Sequence, residues 1–227
     1  IYLADGNNAK RNRSDGSKTS DIQQSCATSK DGKIVFRILN QPETNIGPGE
    51  VMVYSNFYYY LIIFEDINEG SRGAIKDKSG SSFPSVRIEG YNKQAKIQIF
   101  IGTDSGKVCP HLFYQVCRVT GKNSGPCEEL KINGTDVIEI PTDPVNDNTI
   151  ICDCVGILKE RFADVEQRFP KHKNWKTSKK KSTKCRMVFR TTIENSNGDT
   201  EVLTIVSDVI NCTQLPGTPE ILKMSLS

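Results

Sequence analysis

Short runs of β-forming residues, each closed by Gly, Pro, Asn or Asp, recur from Ile34 to Val209, and this punctuation constrains the fold more than any other feature. Ile34-Val35-Phe36-Arg37-Ile38-Leu39 ends at Asn40-Gln41-Pro42, and Val86-Arg87-Ile88-Glu89 alternates apolar and polar residues. Lys96-Ile97-Gln98-Ile99-Phe100-Ile101 alternates before turning apolar, and His111 to Val119, Val137 to Ile140 and Thr149 to Val155 continue the series. A period of two places every second side chain on one face of a strand. Runs so spaced read as an antiparallel β-sandwich rather than as alternating strands and helices. Cys185 to Ile193 and Val202 to Val209 flank Asn195-Ser196-Asn197-Gly198-Asp199, whose Asn-Gly step is a strong hairpin signal. One helix is expected, over 157–169, with Ile157, Leu158, Phe162, Val165 and Phe169 on one face and Pro170 as its stop.

Outside these runs the composition changes. Residues 1–32 are rich in Asn, Ser, Asp, Gly and Lys and read as a disordered lead-in, with order beginning near Lys33. A Gly47-Pro48-Gly49 turn precedes Val51 to Phe64, a stretch dense in Tyr, Phe, Ile and Val. Its apolar run Phe57 to Phe64 is too short to cross a bilayer as a helix. The domain is expected to span 33–214. Leu215-Pro216-Gly217-Thr218-Pro219 then reads as a linker, and Ile221 to Leu226 as the first strand of a further domain.

The net charge of +3 is small, but Lys171 to Arg186 holds eight Lys or Arg and no acid. Such a run focuses potential for phosphate, or is simply a solvated loop; composition leaves both open. Eight cysteines and the sequons at Asn133 and Asn211 are compatible with a disulfide-bonded secreted module of the immunoglobulin type. A chain of this length needs no such staples, so reduced cysteines acting as small apolar residues are the rival reading. Cys152 and Cys154, two apart in an expected strand, would share a face as a core pair. With His111 and His172 the only histidines, no convergent metal-ligand set emerges. No nucleophile has an evident base, and Gly70-Ser71-Arg72-Gly73 lacks the spacing of a phosphate-binding loop. The expectation is a chain without catalytic residues, metal, cofactor or small-molecule substrate, and without a membrane partner.

Several segments, in order, carry a resemblance. Glu69-Gly70-Ser71-Arg72-Gly73 precedes Phe83-Pro84-Ser85-Val86, Gln98-Ile99-Phe100-Ile101-Gly102-Thr103 and Pro110-His111-Leu112-Phe113-Tyr114-Gln115-Val116. Val119-Thr120-Gly121-Lys122, Asp153-Cys154-Val155-Gly156-Ile157-Leu158-Lys159, Ala163-Asp164-Val165-Glu166 and Arg186-Met187-Val188-Phe189-Arg190 follow. From about Lys33 onward this order resembles the N-terminal Rel-homology domain of NFAT proteins. Lys179-Lys180-Lys181-Ser182-Thr183 and Cys212-Thr213-Gln214 resemble the tonicity-responsive branch. The resemblance implies an all-β immunoglobulin-like sandwich with a short helical segment, whose loops grip double-stranded DNA at GGAAA-like elements. It also implies reduced cysteines, a nuclear regulator of transcription with a cytoplasmic pool, and a homodimer formed in the full protein through a second domain that this segment lacks.

Carried over residue by residue, the resemblance assigns DNA contacts to Glu69 and Arg72, the second half of the family's recognition loop. Arginine pairs bidentately with guanine, and a carboxylate accepts from cytosine or orients an arginine. Lys76 and Lys78 on the same loop, and Lys179, Lys180 and Lys181 in the basic run, are phosphate candidates. Thr204 stands where the family places a base-reading glutamine. The family's Arg-x-Arg-Tyr run falls on Ile63, Phe64, Glu65 and Asp66, so both recognition arginines are replaced and two acids stand in their region. Gly49 to Phe64 is also longer than the family spacing. This departure motivates an alternative function, a degenerate Rel-like domain that binds protein partners. Trp175 either stacks on nucleic acid or anchors its loop, and His111, Phe113 and Tyr114 are expected to pack.

Overall fold

The computed structural model describes residues 25–46, 74–119, 125–160, 165, 167 and 182–212. The first strands are β1 (Cys26–Thr28), β2 (Val35–Asn40), β3 (Asn45–Ile46), β4 (Ser85–Glu89), β5 (Lys96–Thr103) and β6 (Tyr114–Arg118). They are followed by β7 (Glu128–Ile132), β8 (Thr135–Pro141), β9 (Thr149–Ile151), β10 (Val155–Lys159), β11 (Lys184–Glu194), β12 (Thr200–Val206) and β13 (Ile210–Cys212). One sheet has the order β1-β2-β4-β9. The larger sheet runs β3-β13-β11-β5-β8-β7, with β12 also pairing β11, and β10 pairs β6 in a two-stranded ribbon. All these pairings are antiparallel except β3 with β13.

The alternation in the sequence becomes the inner face. In β5, Ile97, Ile99 and Ile101 are buried while Lys96 and Gln98 turn outward. In β11, Cys185, Met187, Phe189 and Ile193 point in, with Thr191 among them. Phe36 and Ile88 of the smaller sheet meet these residues, Ile138 and Ile205 in a single apolar cluster. Two sheets joined over one core in this way are what buries the apolar face of each.

The hairpin expected around Asn195 is present. Strands β11 and β12 pair from Val188↔Val206 to Glu194↔Thr200. The Asn195 side-chain oxygen accepts from the Asn197 and Asp199 amides (3.0 and 2.9 Å), and Gly198 takes the left-handed φ of +84° that the turn requires. Gly90, at φ +75°, closes the β4–β5 turn against Lys33, where any Cβ would collide with the Lys33 carbonyl oxygen.

Three expectations need correction, and one strand goes unforeseen. The stretch 1–32, expected as a disordered lead-in, contains β1, held to β2 in the register Cys26↔Arg37 to Thr28↔Val35. The expected helix over 157–169 cannot begin at Ile157, because Ile157 to Lys159 complete β10 against β6; Val165 and Gln167 are helical. Backbone pairing with β6 outweighs a helical spacing spread over so few apolar residues. The run Thr149 to Val155 is two strands, not one. It turns at Asp153-Cys154, so Cys152 and Cys154 do not sit in a common strand, although both are buried. Lastly, β7 carries no clear signal, because Glu128 to Ile132 form a half-exposed edge with no fully buried side chain.

His111, Phe113 and Tyr114 pack as expected. The His111 ring is buried, its Nδ1 accepts from the amides of Phe113 and Tyr114 (3.1 and 2.9 Å), and it lies 4.8 Å from the Tyr114 ring. No disulfide joins any of the eight cysteines.

Candidate nucleic-acid interface

One end of the larger sheet gathers the roots of two segments that the sequence marks for DNA, the recognition loop and the basic run. Residues 41–43 and 76–78 pair across the base of the segment 47–73. The Glu43 amide donates to the Lys76 carbonyl at 2.9 Å, the Lys78 amide to the Gln41 carbonyl at 3.0 Å, and Pro42 bridges Asp77. Immediately beyond, β3 lies parallel to β13, with Asn45 opposite Asn211 and Ile46 opposite Cys212. The Asn211 amide and side chain both donate to the Thr44 carbonyl (2.8 and 3.1 Å). The Cys212 amide donates to the Thr183 carbonyl at 2.7 Å, and Lys184 pairs with Asn211. Residue 46, which leads into the 47–73 segment, residue 183, which follows Lys179 to Lys181 in the basic run, and residue 212 are therefore neighbours at one edge.

Glu69, Arg72, Lys179, Lys180 and Lys181 lie outside the described residues. In the sequence Arg72 is two residues from Ala74, and Lys181 adjoins Ser182. The contact positions of the Arg-x-Arg-Tyr run, the stretch Gly49 to Phe64 and Trp175 also lie outside them.

Lys76 and Lys78 are described and differ in setting. The Lys76 ammonium sits 4.1 Å from the centroid of the Phe83 ring, which holds its stem against the sandwich. Lys78 pairs with Asp208 at 2.5 Å, and half of its side chain is exposed. Between them Asp77 builds the turn: its Oδ1 accepts from the Ser79 hydroxyl (2.6 Å) and from the amides of Ser79 and Ser82 (3.2 Å each). The Ser79 hydroxyl, with those amides, outweighs desolvation and holds the Asp77 carboxyl below its ordinary range. The turn therefore stays anionic at its base while presenting lysines on both sides. The Lys78–Asp208 pair spans 130 positions and has no signature in the sequence.

Thr204 stands apart from that cluster. It pairs with Arg190, five residues along β11 from Cys185, which is about 17 Å at the rise of a strand. Its neighbours form a polar row across the outer face. The Arg190 guanidinium donates to Gln98 Oε1 (2.7 and 3.2 Å), Gln98 donates to Glu139 Oε2 (2.9 Å), and Lys96 Nζ donates to Glu139 Oε1 (2.6 Å). Burial pushes the Glu139 carboxyl up, but the bonds from Lys96 and Gln98 and the Lys96 charge together outweigh it, so the carboxyl titrates below its ordinary 4.5.

That row yields a pH prediction. A carboxyl whose pKa is depressed by folding contributes stability above its unfolded value and loses it as pH falls through its folded value. Lys96→Met removes both a donor and a charge, leaving burial to prevail and Glu139 to protonate at higher pH. The variant is expected to be less stable than the wild type near pH 7 and to lose less thermal stability on acidification, in melts between about pH 3 and 7. Protonating a carboxyl whose folded pKa is raised favours the folded state. A melting curve against pH that runs parallel to the wild type would remove Glu139 as the responsible group.

Among the described residues no group of three or more His, Cys, Asp or Glu could hold a metal ion, and no helix is long and apolar enough to cross a membrane.

Comparison with known proteins agrees with this geometry. The family model described as the Rel homology DNA-binding domain matches residues 66–213. Human nuclear factor of activated T-cells 5 is 52% identical over 160 residues, covering 70% of this chain and 10% of that protein. Pig nuclear factor of activated T-cells, cytoplasmic 1 is 43% identical over 150 residues, covering 64% of this chain and 18% of that protein. The chain thus spans between a tenth and a fifth of the length of these relatives. In fold it is similar to a structure titled Dorsal homologue Gambif1 bound to DNA, with a TM-score of 0.53 and 17% identity over 79% of this chain and 99% of that one. With two thirds of the sequence matched by the family model and the same sandwich underneath, the chain belongs to the Rel homology DNA-binding domain family, within its NFAT group.

Proposed function

We propose that this chain binds double-stranded DNA sequence-specifically, as the DNA-reading part of an NFAT-like factor that regulates genes transcribed by RNA polymerase II. The family is a DNA-binding one with no catalytic role. The observation that carries the reading is the shared ladder at residues 45–46, 183–185 and 210–212, from which the recognition segment and the basic run depart together. A duplex laid across that end meets Arg72 and Glu69 on the base edges and Lys76, Lys78 and Lys179 to Lys181 on the phosphates. Thr204, higher on the outer face, contributes where the duplex extends over β12. The element is GGAAA-like, the factor acts in the nucleus with a cytoplasmic pool, and the full protein pairs as a homodimer through a further domain.

Titration onto a GGAAA-containing duplex and a scrambled duplex at two salt concentrations tests this. The expected result is a preference for the specific site, with affinity for both duplexes falling as salt rises. Lys78→Met is expected to weaken binding to both duplexes alike and to reduce the salt slope by about one. An unchanged slope would take Lys78 off the phosphates. Equal, weak and salt-sensitive binding to both duplexes would favour the second reading, a Rel-like domain serving protein partners, which the acids Glu65 and Asp66 in the recognition run suggest.

A further inference from the structure

The ladder that roots the DNA-facing segments also holds two thiols in contact. Cys185 on β11 is directly opposite Ile210 on β13, so Cys212, two residues further on, lies diagonally across from it on the same inward face. The two sulfurs are 3.7 Å apart. Cys185 is fully buried and Cys212 half-buried, so one sulfur is shielded and the other can be reached. We propose that Cys185 and Cys212 are a peroxide-sensitive dithiol that closes into a disulfide and staples β13 to β11.

The surroundings favour reaction at Cys212. Its thiol is held below the ordinary value by the bond to Cys185, against desolvation, with the Lys159 charge assisting. Cys185 is pushed up by the same bond and by burial, and so keeps its proton until Cys212 has reacted. The other inward thiols are set differently. Burial drives Cys154 up to about 12, with its neighbour Cys127 adding to the rise, and Cys152 is wholly enclosed. Cys26 and Cys109 are exposed but form no such pair. Exposure alone would send an oxidant to Cys26 and Cys109; thiolate character and a resolving partner send it to Cys212.

The chemistry balances with hydrogen peroxide as oxidant. The Cys212 thiolate attacks one peroxide oxygen, the O–O bond breaks, and the departing hydroxide takes up the thiol proton as water, leaving a sulfenic acid. The Cys185 sulfur then attacks the Cys212 sulfur, its proton goes to the leaving hydroxide, and a second water departs. Two thiols lose two hydrogens, and one peroxide becomes two waters. The sulfurs must approach by about 1.7 Å to reach the bonded distance, which the short three-residue β13 accommodates at its end.

The experiment treats the folded, reduced chain with one equivalent of hydrogen peroxide, then maps disulfides by mass spectrometry of unreduced peptides. The expected main product is a Cys185–Cys212 cross-link within one molecule, with a melting temperature higher by about 5–10 °C and reversed by dithiothreitol. Cys212→Ser abolishes the cross-link and the shift, whereas Cys109→Ser leaves both. As a second arm that needs no variant, phenylarsine oxide, which bridges close thiol pairs, is expected to protect Cys185 and Cys212 together from alkylation in the wild type. Oxidation appearing mainly on Cys26 or Cys109, or bridges only between molecules, with Cys185 and Cys212 still alkylated after phenylarsine oxide, would overturn the proposal.

Discussion

Arginine introduced at positions 63 and 65 together (Ile63→Arg with Glu65→Arg) is expected to tighten binding to a GGAAA duplex by about 30-fold or more. A bidentate arginine–guanine pair is worth about 1–3 kcal/mol of discrimination, so two of them reach roughly 2–6 kcal/mol, and each 1.4 kcal/mol is a factor of ten. Removing Glu65 also takes a negative charge away from a surface proposed to face phosphates. The family match begins at residue 66, immediately after these two positions, so the part of the domain that departs from the family is the part the variant restores. The control is the scrambled duplex. The net change of three charges alone raises affinity for any DNA, by counterion release, and that gain shrinks with salt. A specific gain that persists at high salt, with a much smaller one on the scrambled site, would establish that the framework still aims this loop at bases. Parallel gains on both duplexes would mean that the loop no longer reads sequence and that only its charge was changed.

The sandwich was legible because its strands carry the period-two pattern on both sides of clear turn residues. Lys96 to Ile101, Cys185 to Ile193 and the Asn195 hairpin could be placed almost residue by residue, since the inward positions are apolar apart from Thr191 and each turn has its own chemistry. The pattern failed where a strand buries little. Strand β7 is a charged edge, and β1 owes its existence to pairing with β2, with one buried side chain among its three residues. It failed again at 152–160, where apolar content is high on both sides of a tight turn and periodicity does not separate strand from helix. The site was legible as residue types but not as a place. Asn211 and Thr44 meet because β3 inserts beside β13, a parallel contact between chain segments some 166 residues apart. Cys185 and Cys212 meet because β13 pairs with β11, and Lys78 meets Asp208 across 130 positions. Long-range strand order is set by which edges remain free after the core is buried, and local patterns carry no record of it.

The same strand that anchors the ladder also supplies the largest expected loss of stability. Phe189 is completely buried in the middle of β11, opposite Ile99 of β5 and Ile205 of β12. Phe189→Ala is expected to cost about 3–5 kcal/mol, from lost transfer free energy and the cavity left behind. Against the 5–15 kcal/mol that folded domains typically possess, this is a large fraction of the whole. Phe100 is the matched control. It lies one pair further along the same β5–β11 ladder, opposite Val188, and its side chain points to the outer face, where it is only partly buried. Phe100→Ala should therefore cost about 1–2 kcal/mol, in proportion to the smaller apolar area returned to water. Denaturant titrations of both variants would read the difference as a shift in midpoint at unchanged slope. If the two losses came out equal, or in reverse order, the inward and outward faces of β11 would be exchanged. Cys185, which shares its face with Phe189, would then point to solvent, and the sealed half of the proposed dithiol would be lost with it.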